Sequence, residues 1–92
     1  MESKLFTPVT FGPLTLRNRT IRSAAFESMC PGNAPSDMLL DYHRSVAAGG
    51  IGMTTVAYAA VTQSGLSFDR QLWMRPEIIP GLRRLTDDIH AE

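Results

Sequence analysis

The chain has 92 residues, of which 43% are hydrophobic and 20% are charged, so it is one globular domain or less. Nine basic and nine acidic side chains give a formal net charge of zero, which leaves no basic footprint for nucleic acid or an anionic membrane surface. The single cysteine, Cys30, excludes an internal disulfide framework and a multi-cysteine metal site, and it fits a reducing cytoplasm.

The longest uncharged run, from Ser45 to Phe68, contains no histidine either and has the length of a membrane helix. Its glycines and its polar Thr and Gln residues interrupt the apolar continuity that insertion requires. Residues 1–8 carry no long apolar stretch behind Lys4, which argues against a secretory signal. The sequence therefore predicts neither a membrane partner nor a secretory leader.

The first predicted elements are a hairpin and a strand. Val9 to Phe11 and Leu14 to Leu16 alternate apolar and polar residues around Gly12-Pro13, which is typical of a small hairpin. A polar link over residues 17–19 follows. Thr20 to Ala25 is predicted to be a first buried strand, and the proline-rich residues 29–35 are predicted to form a loop.

Two helices flank a second predicted strand. Ser36 is the expected N-cap of a helix from about Asp37 to Ala48. Residues 51–57 form the second predicted buried strand, and a long loop follows it. The last helix is predicted to start near Pro80 and to reach the end of the chain, with apolar residues at Leu82, Leu85 and Ile89 and charged residues on the opposite face at Arg83, Arg84, Asp87 and Asp88.

The alternating order of strands and helices predicts an α/β architecture with parallel strands. A complete (β/α)8 TIM barrel needs roughly 250 residues. The chain is therefore predicted to be an incomplete portion of one α/β domain.

Several polar or glycine-rich motifs have an ordinary structural interpretation. The glycines at 49, 50 and 52 follow a helix and precede a strand, so a helix C-cap with close packing is favoured over a phosphate-binding loop. His43 and His90 have no partners at metal-ligand spacing, so we predict structural or surface roles and no metal site. Cys30 is a reactive thiol only if it is exposed, and the charge pairs of the last helix fit i, i+4 contacts in solvent.

The segment Ile21-Arg22-Ser23-Ala24-Ala25-Phe26-Glu27-Ser28 carries the strongest functional signal. It ends the first predicted strand, and barrels of this class place their active sites at the carboxyl ends of the strands. The small side chains either fit a crowded turn or leave space for something large and flat.

The ordered combination of three early motifs resembles the N-terminus of the old yellow enzyme family of NADH:flavin oxidoreductases. The motifs are Leu5-Phe6-Thr7-Pro8, Leu14-Thr15-Leu16-Arg17-Asn18-Arg19 and Arg22-Ser23-Ala24-Ala25-Phe26-Glu27. Later stretches agree, from Tyr42-His43 through Gly52-Met53, at Gly65, and from Leu72 to Pro76. The resemblance extends from Leu5 to Glu92.

The resemblance implies that residues 1–92 are the N-terminal hairpin and the first two βα units of a (β/α)8 TIM barrel, as a truncated portion of one domain. FMN is expected to lie across the carboxyl ends of the barrel's strands. Residues expected against the isoalloxazine ring are Ser23, Ala24, Ala25, Phe26 and Ala60. Glu27 is expected to border the substrate. Phe26 replaces a cysteine or threonine that tunes the flavin in many relatives, and Ser28 replaces a tyrosine that contacts substrate in some of them.

The implied activity is hydride transfer from NAD(P)H through FMN to an electron-poor alkene. The family's other flavin ligands, its substrate-binding histidine pair and its proton-donating tyrosine come from later strands, so no catalytic residue is assigned here and the 92-residue chain is expected to be inactive alone. An alternative is a truncated, non-catalytic product that acts only through protein contacts. An open apolar edge near residues 51–56 also predicts self-association.

Overall fold

The computed structural model describes residues 3–92, and Met1 and Glu2 lie outside the described part. A short 3-10 helix (Lys4–Phe6) precedes the predicted hairpin, in which β1 (Val9–Phe11) pairs antiparallel with β2 (Leu14–Leu16). Thr10 lies opposite Thr15, and their hydroxyl oxygens are 3.1 Å apart. Gly12 has a φ of +56°, a backbone conformation that suits the turn and that glycine adopts without steric cost.

The parallel pairing of the next two strands is confirmed, but their predicted bounds and burial are wrong. Strand β3 (Ile21–Arg22) pairs with β4 (Met53–Thr54), and each strand has only two residues. Ile21 is 51% exposed and Met53 is 38% exposed. These two apolar side chains lie on the sheet face away from the helix, where no layer of residues 3–92 covers them.

Helix α1 (Asp37–Ala48) has the predicted bounds and the predicted cap. The Ser36 hydroxyl accepts a hydrogen bond from the backbone N–H of Leu39 at 3.2 Å, which satisfies one of the otherwise unpaired amides of the first turn. The side chains that α1 buries are Leu39, Leu40, His43 and Ala47. Three of them follow each other at i, i+4, so they form one stripe along the helix.

The glycines after α1 have the predicted structural roles. Gly49 caps the helix, and Gly50 has a φ of +105°. A Cβ atom at Gly52 would lie 2.5 Å from the backbone oxygen of Asn18 and 2.8 Å from that of Thr20. Only glycine therefore allows the start of β4 to approach the polar link that precedes β3.

The predicted long loop contains a strand pair that the sequence did not indicate. Strand β5 (Ala59–Ala60) pairs in parallel with β6 (Leu72–Trp73). Between and after these strands, the chain is tied to the loop that follows β3. The Asn33 side-chain amide donates to the Gln71 carbonyl at 2.8 Å, and the Arg75 guanidinium donates to the Asn33 carbonyl at 2.7 Å.

Helix α2 (Ile79–His90) packs against α1 and begins within one residue of the predicted position. The core between the helices and loops consists of Cys30, Leu39, Leu40, Leu72, Ile78 and Leu85. The charge pairing predicted within α2 is corrected by the structure, because Arg84 instead forms an ion pair with Asp37 of α1 at 2.9 Å. Among the described residues, neither helix has the length and apolar content needed to cross a membrane.

Candidate functional site

Residues 23–26, which we call the ledge, follow β3 at its carboxyl end. Ser23, Ala24, Ala25 and Phe26 are all exposed, although they lie between a strand and buried residues. Because three consecutive side chains are small, no bulky group projects from this part of the surface. The predicted cofactor segment is therefore accessible and free of bulky side chains until Phe26.

The two residues that flank the ledge contact each other. A guanidinium nitrogen of Arg22 lies 3.2 Å from a carboxylate oxygen of Glu27, and both side chains are largely buried. Arg22 also donates to the Thr55 carbonyl at 2.9 Å and to the Tyr42 hydroxyl at 3.0 Å. The ledge is thus an exposed segment whose two flanking residues form an ion pair.

The Glu27 carboxylate is enclosed, with only 4% of its side chain exposed. One oxygen lies 2.7 Å from Nε2 of His43, and the other accepts the backbone N–H of Ala57 at 3.2 Å. The carboxylate therefore joins the ledge to helix α1 and to the segment after β4. The sequence placed Glu27 beside the substrate, and that role stays a prediction.

His43 is completely buried beneath the ledge. Burial lowers the pKa of His43 below its usual value, and the positive charge of Arg22 acts in the same direction, while Glu27 opposes both. A neutral imidazole that donates from Nε2 to Glu27 leaves Nδ1 to accept from the Thr54 hydroxyl, which lies 2.8 Å away. Both ring nitrogens then have partners. We call the side chains of Arg22, Glu27 and His43 the clasp.

Two left-handed backbone conformations lie next to the clasp. Ser28, directly after Glu27, has a φ of +50°, and Tyr58, directly after Ala57, has a φ of +58°. Residues with a Cβ seldom adopt this region because of steric crowding. The chain therefore turns sharply on both sides of the hydrogen bond between Glu27 and Ala57.

An aromatic cluster forms one end of the ledge. The Phe26 ring is 4.8 Å from the Phe68 ring and 5.8 Å from the Tyr58 ring, measured between centroids. The rings meet edge to face or tilted, which is the favoured geometry for aromatic pairs. The cluster brings together the segments that follow β3, β4 and β5.

Ala60, the remaining predicted flavin contact, differs from the ledge. Its side chain is only 6% exposed, and its carbonyl accepts the backbone N–H of Met74 at 2.8 Å. Contact between Ala60 and a cofactor stays a prediction, and the ledge is the accessible part of the predicted site.

The remaining candidate residues lie away from the ledge. Cys30 is buried in the core, and burial together with the nearby Glu27 raises the pKa of its thiol to about 11. It is therefore not the exposed thiol that reactivity would require. His90 is exposed near the end of α2. Within residues 3–92, no cluster of three His, Cys, Asp or Glu side chains has the arrangement of a metal site.

The sequence did not single out the clasp, although a signal for it was present. His43 occupies the same helical stripe as Leu39 and Ala47, and a histidine on a buried stripe requires polar partners. Arg22 and Thr54 are the polar members of their strands, and they face the helix. The partners of His43 could therefore have been sought at the alternate positions of the two strands.

Comparisons with known proteins agree on one family. The model of the NADH:flavin oxidoreductase / NADH oxidase family matches residues 4–92. A 4,4'-dithiodibutanoate disulfide reductase of Rhodococcus erythropolis is 51% identical over 88 residues, which are 96% of this chain and 22% of that protein.

Solved structures show the same fold. A 2-naphthoyl-CoA reductase complex matches with a TM-score of 0.89 and 25% identity, over 96% of this chain and 14% of that one. The old yellow enzyme homologue of Zymomonas mobilis matches with a TM-score of 0.84 and 19% identity, over 97% of this chain and 25% of that one. The chain thus spans about a quarter or less of the length of each of these proteins.

Proposed function

Because this chain belongs to the NADH:flavin oxidoreductase / NADH oxidase family, which includes the old yellow enzymes, we propose that its ledge is the part of an FMN site that lies against the isoalloxazine ring. The observation that carries this proposal is the exposure of Ser23, Ala24, Ala25 and Phe26 at the carboxyl end of β3. In α/β barrels, that end of the strands is where ligands bind.

The residues present fit such a ring. A flat aromatic ring system needs a surface without bulky side chains, and the ledge offers two alanine methyl groups beside the Ser23 side chain. The exposed Phe26, which is 63% accessible, adds apolar surface at one end. Burying apolar area of this kind contributes roughly 25 cal/mol per Å².

When bound, FMN supplies hydride transfer between NAD(P)H and a small-molecule acceptor. In that reaction, residues of this chain would bind and orient the cofactor. Ser23 to Ala25 would support one region of the ring, and Phe26 would add apolar surface beside it. The acceptor proposed from the sequence is an electron-poor alkene, which takes up one hydride and one proton.

A disulfide is the second candidate acceptor, and the 51% identity to the Rhodococcus erythropolis disulfide reductase favours it. Reduction of a disulfide by NAD(P)H breaks one S–S bond and yields two thiols and NAD(P)+, with uptake of one proton. The two acceptors are distinguished by an assay. A barrel in which residues 1–92 replace the matching segment of the Rhodococcus erythropolis reductase should oxidise NAD(P)H with 2-cyclohexenone or with 4,4'-dithiodibutanoate. Failure with both, where the parent reductase is active in the same assay, would contradict the proposed reaction.

The cofactor site itself is tested in a chimaeric barrel, in which residues 1–92 replace the matching segment of the Rhodococcus erythropolis reductase. Ala25→Leu should weaken FMN binding by about tenfold or more, because added bulk in a packed contact costs roughly 1–3 kcal/mol. Since Ala25 is exposed, this variant should keep the stability of the apoprotein. Unchanged FMN affinity in a folded Ala25→Leu chimaera would contradict the placement of the ring.

The matched control is Ala48→Leu, which adds the same side chain to an exposed position of α1. It should leave the FMN affinity and the flavin spectrum unchanged. Ala60→Leu should weaken FMN binding as well, but it should also lower stability because Ala60 is buried. Ala25 is therefore the cleaner test.

A polypeptide of residues 1–92 alone should be colourless after gel filtration with FMN. The ledge contacts only part of a ring, and binding must first offset several kcal/mol of lost translational and rotational freedom. A stoichiometric flavin absorbance band that persists through gel filtration would contradict this expectation. Light scattering of the same sample tests the predicted self-association.

A further inference from the structure

We propose that Glu27 is a positioning residue, held by Arg22 and His43, that fixes the backbone of the ledge for the flavin and does not itself contact substrate. This inference rests on the proposed FMN site. It differs from the role in substrate contact that the sequence suggested for Glu27.

The geometry of the clasp supports this role at both ends of the ledge. Arg22 and Glu27 flank residues 23–26, and their side chains meet at 3.2 Å. Arg22 is in turn fixed to the carbonyl of Thr55 after β4 and to the hydroxyl of Tyr42 in α1. Because these contacts hold both ends of the ledge, the backbone between them has few conformations available.

The Glu27 carboxylate contacts donor groups from three different segments. Arg22 belongs to β3, His43 to α1, and Ala57 to the chain after β4. Within the described part of the chain, Nε2 of His43 has no polar partner other than the Glu27 oxygen 2.7 Å away, and that oxygen contacts only His43 and Arg22. Removal of the carboxylate would therefore leave buried polar atoms unpaired in several elements at once.

Backbone conformation provides an independent observation. Ser28 and Tyr58 adopt left-handed conformations directly after the two residues that the carboxylate joins, Glu27 and Ala57. Such conformations persist only where the surrounding contacts determine them, and they are concentrated at functional sites. The sharp turn at Ser28 accompanies a carboxylate that points inward, away from the exposed face of the ledge.

The test uses the chimaeric barrel with Glu27→Gln and Glu27→Ala. FMN affinity, the visible circular dichroism of bound flavin and the KM for the acceptor are measured at a temperature where far-ultraviolet circular dichroism shows each variant folded. Loss of hydrogen bonds to a charged group should weaken FMN binding by about tenfold or more in Glu27→Ala and by a smaller factor in Glu27→Gln. At saturating FMN, the KM for the acceptor should be unchanged.

The opposite pattern would overturn the inference. If Glu27→Gln raises the KM of the acceptor and leaves FMN affinity unchanged, Glu27 contacts substrate as the sequence suggested. If Glu27→Ala does not fold, the Glu27→Gln results decide. The matched control is Glu77→Ala, because Glu77 is an exposed glutamate whose nearest cation, on Arg75, is 3.9 Å away. It should change none of the three measurements.

A double variant separates positioning from stability. Glu27→Leu with His43→Leu removes the carboxylate together with the imidazole that faces it, so no buried imidazole is left without its partner, and stability should recover in part relative to Glu27→Ala. Leucine cannot accept the Ala57 N–H or pair with Arg22, so FMN binding should stay weak even where stability recovers. FMN affinity that recovers together with stability would overturn the positioning role. If the unsubstituted chimaera binds no FMN, both the proposed function and this inference fail. If Ala25→Leu weakens FMN binding but Glu27→Gln does not, only the inference is rejected.

Discussion

Helix α1 makes two groups of contacts that differ in chemistry, although Leu39 and His43 belong to the same stripe. We call them the apolar side and the polar side of the helix. Toward α2 and the loops, Leu39 and Leu40 pack with Leu85 in an apolar core. Toward β3 and β4, His43 and Tyr42 meet Arg22, Glu27 and Thr54 through hydrogen bonds and ion pairs. The apolar side can adjust to small losses of volume, whereas the polar side depends on each partner being present.

This difference has a functional meaning under the proposed FMN site. An apolar interface holds two elements together but allows small shifts between them. A set of charged hydrogen bonds fixes direction as well as distance. The clasp lies beneath the ledge, where orientation matters for a ring, and the apolar core lies farther away under the helices.

The largest expected effect comes from breaking the polar side. Glu27→Ala should lower the free energy of unfolding by about 3–5 kcal/mol, because one member of a buried ion pair loses its partner. The single tryptophan, Trp73, allows urea unfolding of the chain to be followed by fluorescence at sub-micromolar concentration. Glu77→Ala should stay within about 0.5 kcal/mol of the parent, as expected for a surface change. A loss below 1 kcal/mol for Glu27→Ala would show that the clasp is not a stabilising unit.

A substitution on the apolar side should lower stability almost as much, but its effect should not depend on pH. Leu39 is 1% exposed, so Leu39→Ala should cost about 2–5 kcal/mol through lost burial and a residual cavity. The difference in free energy of unfolding between this variant and the parent should be the same at pH 5 and pH 8. Met38→Ala is the matched control on the exposed face of α1, and it should cost far less.

The physics of the two kinds of contact explains how well the sequence predicted each side of α1. Ser36, the apolar stripe and the glycines after α1 are local signals, and they gave the bounds of α1 correctly. The strands were predicted too long because apolar runs do not show where a pairing partner ends. The clasp brings together three residues, from β3, from the chain after the ledge and from α1. The polar residues at buried positions are visible in the sequence, but nothing local in it shows that they meet. The open position of the ledge also depends on tertiary structure.

A pH titration should distinguish the two sides. Since burial lowers the pKa of His43 in the folded chain, the unfolded chain binds the extra proton first as the pH falls. Stability should therefore decrease as the pH falls below about 6.5, the usual pKa of histidine, and level off below the folded value. His43→Gln should lack this component, while His90→Gln, at an exposed position, should keep it. An identical pH profile for His43→Gln and the parent would contradict a neutral, buried His43.

The smallest expected effect concerns the left-handed turn beside the clasp. Ser28 has a φ of +50°, and there Ser28→Gly should be more stable than Ser28→Ala by about 1 kcal/mol. A Cβ atom in this region costs about 1–2 kcal/mol, and the greater freedom of glycine in the unfolded chain offsets part of that difference. Both substitutions remove the hydroxyl that donates to the Asp69 carbonyl at 3.0 Å, so their difference isolates the backbone term. The order should reverse at the exposed helical residue Ala48, where Ala48→Gly should lower stability by roughly 0.5–1 kcal/mol. If Ser28→Ala proved as stable as Ser28→Gly while Ala48→Gly behaved as expected, the left-handed turn would not be a strained feature held in place by the clasp.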